Sequence, residues 1–175
     1  PAALSVRDFN FIGIEAEIAF KFARTLDMRA TPYAEADVLA AVASVHPAIE
    51  IADSRYLRWR DRSTLEQLAD CGNNGALIVG PAATVSSAID QTQVGAEVWI
   101  DGARRITRVG GNTAGSVQRL LVWLVNQCAA SGTPIRAGDV AKRGSVPHSG
   151  LSNTFAHSAR HSRSFWMLMR IGTRS

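Results

Sequence analysis

The first clear pattern in the chain is an alternation. From Ile12 to Phe22, Ile14, Ala16, Ile18 and Phe20 fall on one side of an extended backbone and Glu15 and Glu17 on the other, which predicts a strand. Ala34 to Val45 is rich in Ala and places Val38, Leu39, Val42 and Val45 at helical spacing, so a helix is expected there, stopped by Pro47. Ala48 to Asp53 reads as a buried strand. Ser63 followed by Glu66 is a capping box that opens a short helix to Ala69. Gly75 to Gly80 is a short apolar strand, and Gly95 to Ile100 with Arg104 to Val109 reads as a hairpin turned at Asp101-Gly102. A second helix is expected over Gly115 to Ala130, with Leu120, Leu121, Trp123, Leu124 and Val125 as its apolar side. Gly132 ends it, and Gly138-Asp139 marks a turn before another strand. The elements predict an α+β fold with substantial strand content.

Two features within this pattern carry chemistry. Glu15 and Glu17, two apart on a strand, project from the same face. Adjacent carboxylates in an enclosed place repel unless a cation or a proton neutralises them. Glu50 interrupts the apolar run Pro47-Ala-Ile-Glu-Ile-Ala52 and needs a partner if buried. Two readings stand side by side. Glu15 and Glu17 can be the solvated face of an amphipathic strand while Glu50 pairs with Arg55 or Arg58. Alternatively, all three can surround one hard, oxygen-seeking cation such as Mg2+ or Mn2+.

Composition changes this picture mainly at one end. Apolar residues make up 46% of the 175-residue chain and charged residues 19%, which suits one soluble domain. Nothing approaches the roughly 18 to 20 apolar residues of a membrane span. Residues 1–30 mix charges into every apolar stretch, unlike a secretory leader, and Cys71 and Cys128 lack the spacing of a zinc or redox motif. A reducing, cytoplasmic setting is expected. The net charge of +4 is unevenly placed: residues 1–139 hold 13 Lys or Arg against 15 Asp or Glu. Residues 140–175 hold Lys142, Arg143, Arg160, Arg163, Arg170 and Arg174 and no acid. This tail is rich in Ser, Arg and His and ends in a cluster from Phe165 to Met169. It carries neither a recognition motif nor aromatics interleaved on a strand, so neither nucleic acid nor membrane is an expected partner. Residues 141–175 are expected to be a disordered or non-native basic extension.

The segments Gly13-Ile-Glu-Ala-Glu-Ile-Ala-Phe20, Pro47-Ala-Ile-Glu-Ile-Ala-Asp-Ser-Arg55 followed by Trp59, and Ala69-Asp-Cys-Gly-Asn-Asn-Gly-Ala-Leu-Ile-Val-Gly80 resemble the fumarylacetoacetate hydrolase superfamily. The nearest branch by resemblance is the 2-keto-4-pentenoate hydratases and related 2-oxo-acid decarboxylases. The Asp101-Gly102 hairpin, the Leu120 to Asn126 segment and Ala137-Gly-Asp-Val140 extend the resemblance over about Phe11 to Val140. It implies a β-rich, mixed-sheet roll of the family's C-terminal-domain type with two or three helices. It implies that Glu15, Glu17 and Glu50 bind Mg2+ or Mn2+ and that the ion chelates the pyruvate-like end of a small 2-oxo acid. Asp70, Asn73 and Asn74 stand where the family contacts substrate or orders water, with Asn73 and Asn74 replacing hydroxyl residues. Asp53 and Arg55 are placed to orient Glu50.

The function implied is a metal-dependent hydratase, a lyase acting on a 2-oxo or 2-hydroxydienoic acid such as 2-keto-4-pentenoate in aromatic-compound catabolism. The same electron sink would serve a decarboxylase or an acylpyruvate C–C hydrolase. The last would want a general base, and His46 is the histidine nearest the candidate site in sequence, although a structural role suits it better. In the family a Lys-x-Gly-type segment precedes the Glu-x-Glu strand. Residues 1–140 are therefore expected to be a catalytic domain lacking its N-terminal part, with an inactive metal-binding remnant as the further alternative. Self-association into a homo-oligomer is expected from exposed sheet edges.

Overall fold

Strand β1, Gly13–Phe22, is the centre around which the chain is built. The structure, a computed structural model, describes residues 3–83, 94–100, 102–109, 116–144 and 167–172. Further strands are β2 (Val42–Ala52), β3 (Asn74–Val79), β4 (Gly95–Ile100), β5 (Ala103–Val109), β6 (Val140–Gly144) and β7 (Met167–Gly172). The α-helices are α1 (Glu35–Leu39), α2 (Thr64–Ala69) and α3 (Val117–Ala130). One sheet has the order β3-β2-β1-β6 and the other β5-β4-β7, and all these pairings are antiparallel. This is the α+β, strand-rich architecture expected.

The core forms on one face of β1. Phe20 and Phe22 pack with Leu26, Val38 and Ala41, and with Val117, Leu121 and Val125 of α3. The spacing of the α3 residues is one helical stripe. Trp123, expected on that apolar side, points away and is 59% exposed. It follows Leu121 by two positions, which turns it by more than half a helical circle from the buried stripe.

The helix expected over Ala34 to Val45 is only five residues long. It ends at Leu39, and Val42 already belongs to β2. Val42 and Val45 both border the core although they are three residues apart in a strand. The register explains it: Phe20 pairs with Val45, Lys21 with Ser44 and Phe22 with Val42, so the pairing shifts at this point. Such a bulge returns both valines to one face, and its spacing imitates a helix.

Pro47 does not stop a helix; it lies inside β2, a central strand, where proline normally costs a ladder bond. Its carbonyl accepts from the Gly80 N–H at 2.8 Å, so its nitrogen faces the same side, just past the end of β3. There His46 Nδ1 lies 2.9 Å from the Gly80 carbonyl and supplies the missing donor. Its Nε2 then accepts from the Ser44 hydroxyl at 2.7 Å. His46 thus repairs the strand, which matches the structural role expected of it. Gly80 is required here because a Cβ would stand 2.9 Å from the Pro47 carbonyl oxygen.

The capping box of α2 is formed as expected, with Ser63 Oγ accepting from the Glu66 N–H and Glu66 Oε2 accepting from the Ser63 N–H. The hairpin β4–β5 is also formed, with Gly102 at φ +76°; Asp101 and Gly115 lie outside the described residues. The strand expected after Gly138-Asp139 is formed, and it takes in residues 141–144, expected to belong to the basic extension. Val140–Gly144 is β6, paired with β1, and Met167–Gly172 is β7, paired with β4. Backbone hydrogen bonding to neighbouring strands gives these short pieces an extended form that their side-chain pattern does not signal. Residues 145–166 and 173–175, including Phe165 and Trp166, lie outside the described residues. Among the described residues no helix is long and apolar enough to cross a membrane.

Candidate metal centre

The β1–β2 register places Glu15 directly opposite Glu50, and Glu17 opposite Ala48. Cross-strand partners share a face, so the three glutamates meet on the side of the sheet away from the core. One carboxylate oxygen from each lies within 4.8 Å of the others. This face is not a solvated one: Glu17 is 1% exposed and Glu50 5%. The reading of a solvated strand face is therefore replaced by that of an acidic cluster in which Glu17 and Glu50 are buried and Glu15 is half-buried.

Its electrostatics are unfavourable for three bare carboxylates. Burial pushes Glu17 up from the ordinary 4.5 to about 8; Lys142 opposes this, while Glu50 and Glu15 add to it. Glu17 Oε2 is buried without a hydrogen-bond partner. Glu50 is better supplied: Oε1 accepts from Asn74 Nδ2 at 2.6 Å, and Oε2 accepts from Lys142 Nζ. The same ammonium lies 3.9 Å from Glu17 Oε1. A cation already sits among these oxygens, and an orphaned carboxylate oxygen remains. An all-oxygen, carboxylate-rich donor set of this kind suits a hard divalent ion.

The arginines do not pair with Glu50. Arg58 pairs with Asp61, and Arg55 binds Asp70. Asp70 is buried, which pushes its carboxyl up, but the bonds from Ser54 Oγ at 2.6 Å and from Arg55 outweigh this and hold it below the ordinary range. Arg55 also donates to the Asn74 carbonyl at 2.8 Å, so it reaches Glu50 only through the residue that carries the Asn74 amide. Asp53 does not orient Glu50 either. Its carboxylate accepts from the backbone of Asn10 and Phe11 at 3.0 and 2.8 Å and ties down the approach to β1. Gly75 lets β3 start close beside it, since a Cβ there would be 2.8 Å from the Asp53 Cβ.

Between Asp70 and Asn74 the chain makes a left-handed passage, with Cys71 at φ 55°, Gly72 at 61° and Asn73 at 63°. Two non-glycine residues in that region are costly. The passage brings the Asn73 carbonyl to the Asp53 N–H at 2.8 Å and leaves Asn73 Oδ1 buried without a partner. Of the three polar candidates, the fold joins Asn74 to the carboxylates and gives Asp70 partners of its own; Asn73 stands beside Asn74. Lys142 is the residue that sequence reasoning missed. A strand was expected after Gly138-Asp139, and carrying it on would have placed Lys142 on one of its faces.

Residues 3–166 match the model of the fumarylacetoacetate hydrolase C-terminal family. The chain is 32% identical over 133 residues to the TodF product hydratase of Pseudomonas putida, covering 76% of this chain and 48% of that protein. It is 31% identical over 133 residues to a 2-keto-4-pentenoate hydratase of Burkholderia vietnamiensis, covering 76% of this chain and 50% of that protein. The chain therefore spans about half the length of the curated relatives it matches. A solved structure of the 4-oxalocrotonate decarboxylase of Pseudomonas putida G7, complexed with magnesium and adipate, superposes with a TM-score of 0.61 at 24% identity, covering 79% of this chain and 54% of that one.

Proposed function

Since the chain belongs to the fumarylacetoacetate hydrolase C-terminal family, we propose that Glu15, Glu17 and Glu50 hold a divalent cation, Mg2+ or Mn2+, in a hydratase acting on a small 2-oxo or 2-hydroxydienoic acid. The observation that carries this reading is the meeting of three carboxylates from two neighbouring strands, two of them buried, with Glu17 Oε2 left without a hydrogen-bond partner. When bound, such an ion supplies a Lewis-acidic centre for a 2-oxo-acid end and draws electron density from its carbonyl.

The chain's own groups do the rest. Glu15, Glu17 and Glu50 fix where the substrate's oxygens come to lie. Asn74 holds Glu50 by its Oε1 and so sets that carboxylate's direction. Asn73 and Asn74 remain candidates for touching substrate or ordering water; an amide donates and accepts hydrogen bonds but does not relay a proton as a hydroxyl does. Asp70 acts as a positioning residue: with Ser54 and Arg55 it anchors the turn that presents both asparagines.

Hydration and decarboxylation draw on the same electron sink, and decarboxylation of a 2-oxo acid is the second reading. C–C hydrolysis with His46 as base has less support, because both ring nitrogens are engaged in the strand. A cytoplasmic, self-associating enzyme fits the same reading, and light scattering on the eluted protein reports its assembly.

Calorimetric titration of the protein with Mg2+ and then oxalate, a mimic of a pyruvate-like enolate, tests the site. Oxalate binding that requires the metal is expected; oxalate binding indifferent to metal sinks the reading. Assays of 2-hydroxypenta-2,4-dienoate against 4-oxalocrotonate and acetylpyruvate on the whole protein then separate hydration from decarboxylation and C–C cleavage.

A further inference from the structure

We propose that Lys142 is the tethered counter-ion of the carboxylate cluster and that a divalent metal ion enters by displacing its ammonium, so that Lys142 sets the metal affinity of the site. The proposal rests on the metal reading above and adds to it a competitor within the chain.

The geometry is specific. Lys142 stands on β6 opposite Ala19, two positions along β1 from Glu17 and on the same face. Its Nζ donates to Glu50 Oε2 and lies 3.9 Å from Glu17 Oε1. Any ion held by both Glu17 and Glu50 would lie beside the two carboxylates that the ammonium already bridges. Two cations within a few ångströms repel strongly in an enclosed site, so occupancy is exclusive rather than shared.

Charge favours the exchange. One ammonium does not balance three acidic side chains, and Glu17 Oε2 has no hydrogen-bond partner beside it. A divalent ion neutralises more of the charge. Lys142 has a way out of the cluster, because its side chain is 30% exposed against 1% for Glu17 and 7% for Glu50. A four-carbon stem reaching solvent can carry its ammonium into water without burying it elsewhere. The lysine is thus strong enough to occupy the metal-free cluster and accessible enough to leave it.

The test is a calorimetric titration of Mg2+ into the wild-type chain, Lys142→Met and Lys142→Arg. Removing the competing charge should tighten Mg2+ binding about tenfold or more in Lys142→Met, within the usual range of coupling between two sites. Lys142→Arg, which keeps the charge, should stay near wild type. Lys142→Met binding Mg2+ as tightly as wild type, or more weakly, overturns the proposal while leaving the metal reading intact. Absence of Mg2+ binding in every variant overturns the metal reading and this proposal with it. If Lys142→Met fails to fold in chelator, refolding in Mg2+ decides: recovery of the wild-type circular dichroism supports the proposal, because the ion replaces the ammonium, and failure to recover overturns it.

Discussion

Glu17 is the residue whose environment conflicts most with its charge. A carboxyl raised from 4.5 to about 8 keeps its proton in the folded protein while the unfolded chain has lost it. Below pH 4.5 both states are protonated and the group contributes nothing. Between 4.5 and about 8 the folded state binds the extra proton, so stability must fall as pH rises through that window. Thermal unfolding in chelator should show this decline in the wild type and a flatter profile in Glu17→Gln; parallel profiles would contradict the assignment. Asn74 offers a second test at this scale. Asn74→Ala should weaken Mg2+ binding about 10- to 100-fold, as losses of ligand-orienting groups commonly do, while leaving circular dichroism unchanged; an unaltered affinity would mean that the bond to Glu50 orients nothing. The co-facial placement of Glu15 and Glu17 was legible from alternation alone. The partner of Glu50 was not: Arg55 and Arg58, close in sequence, are taken by Asp70 and Asp61, and the cation comes from Lys142, 92 positions away.

At the scale of elements, the chain departs most from its local pattern in β2. A run of alanine and valine with helical spacing is pulled into a strand because β1 offers it a complete ladder, and a bulge keeps Val42 and Val45 against the core. The proline within that strand is tolerated because a histidine side chain donates in its place. His46→Ala should therefore destabilise the fold by about 1 kcal/mol, the usual worth of a hydrogen bond whose loss leaves a carbonyl unpaired. Urea unfolding measures it, and a variant as stable as wild type would mean that solvent satisfies Gly80 equally well. The box at Ser63 and Glu66 needed no such context, since all of its bonds lie within four residues.

For the whole molecule, the candidate site is a clasp between two central strands. An ion that binds only where β1 and β2 are paired stabilises the folded state by mass action, by about 2.7 kcal/mol at a hundred times its Kd. Saturating Mg2+ should raise the thermal midpoint by several degrees and chelator should reverse it; no shift at concentrations that saturate by calorimetry would place the bound ion away from the paired strands. β6 belongs at this scale as well. Five residues without strong alternation form a strand because the Gly138-Asp139 turn, bonded to Phe22 through both its N–H and its carbonyl, delivers them to the open edge of β1.

By itself the sequence determined the strand-rich plan, the shared face of Glu15 and Glu17, the need of Glu50 for a counter-charge, and the caps and turns whose bonds are local. Period, chirality and short-range hydrogen bonding act within a few residues, so they can be read along the chain. The tertiary structure decided that Glu15 faces Glu50, that Glu17 is closed off from water, that His46 mends the strand at Pro47, and that Lys142 lies among the carboxylates. Each of these depends on register and burial, which arise only when segments far apart in the chain compete for the same neighbours.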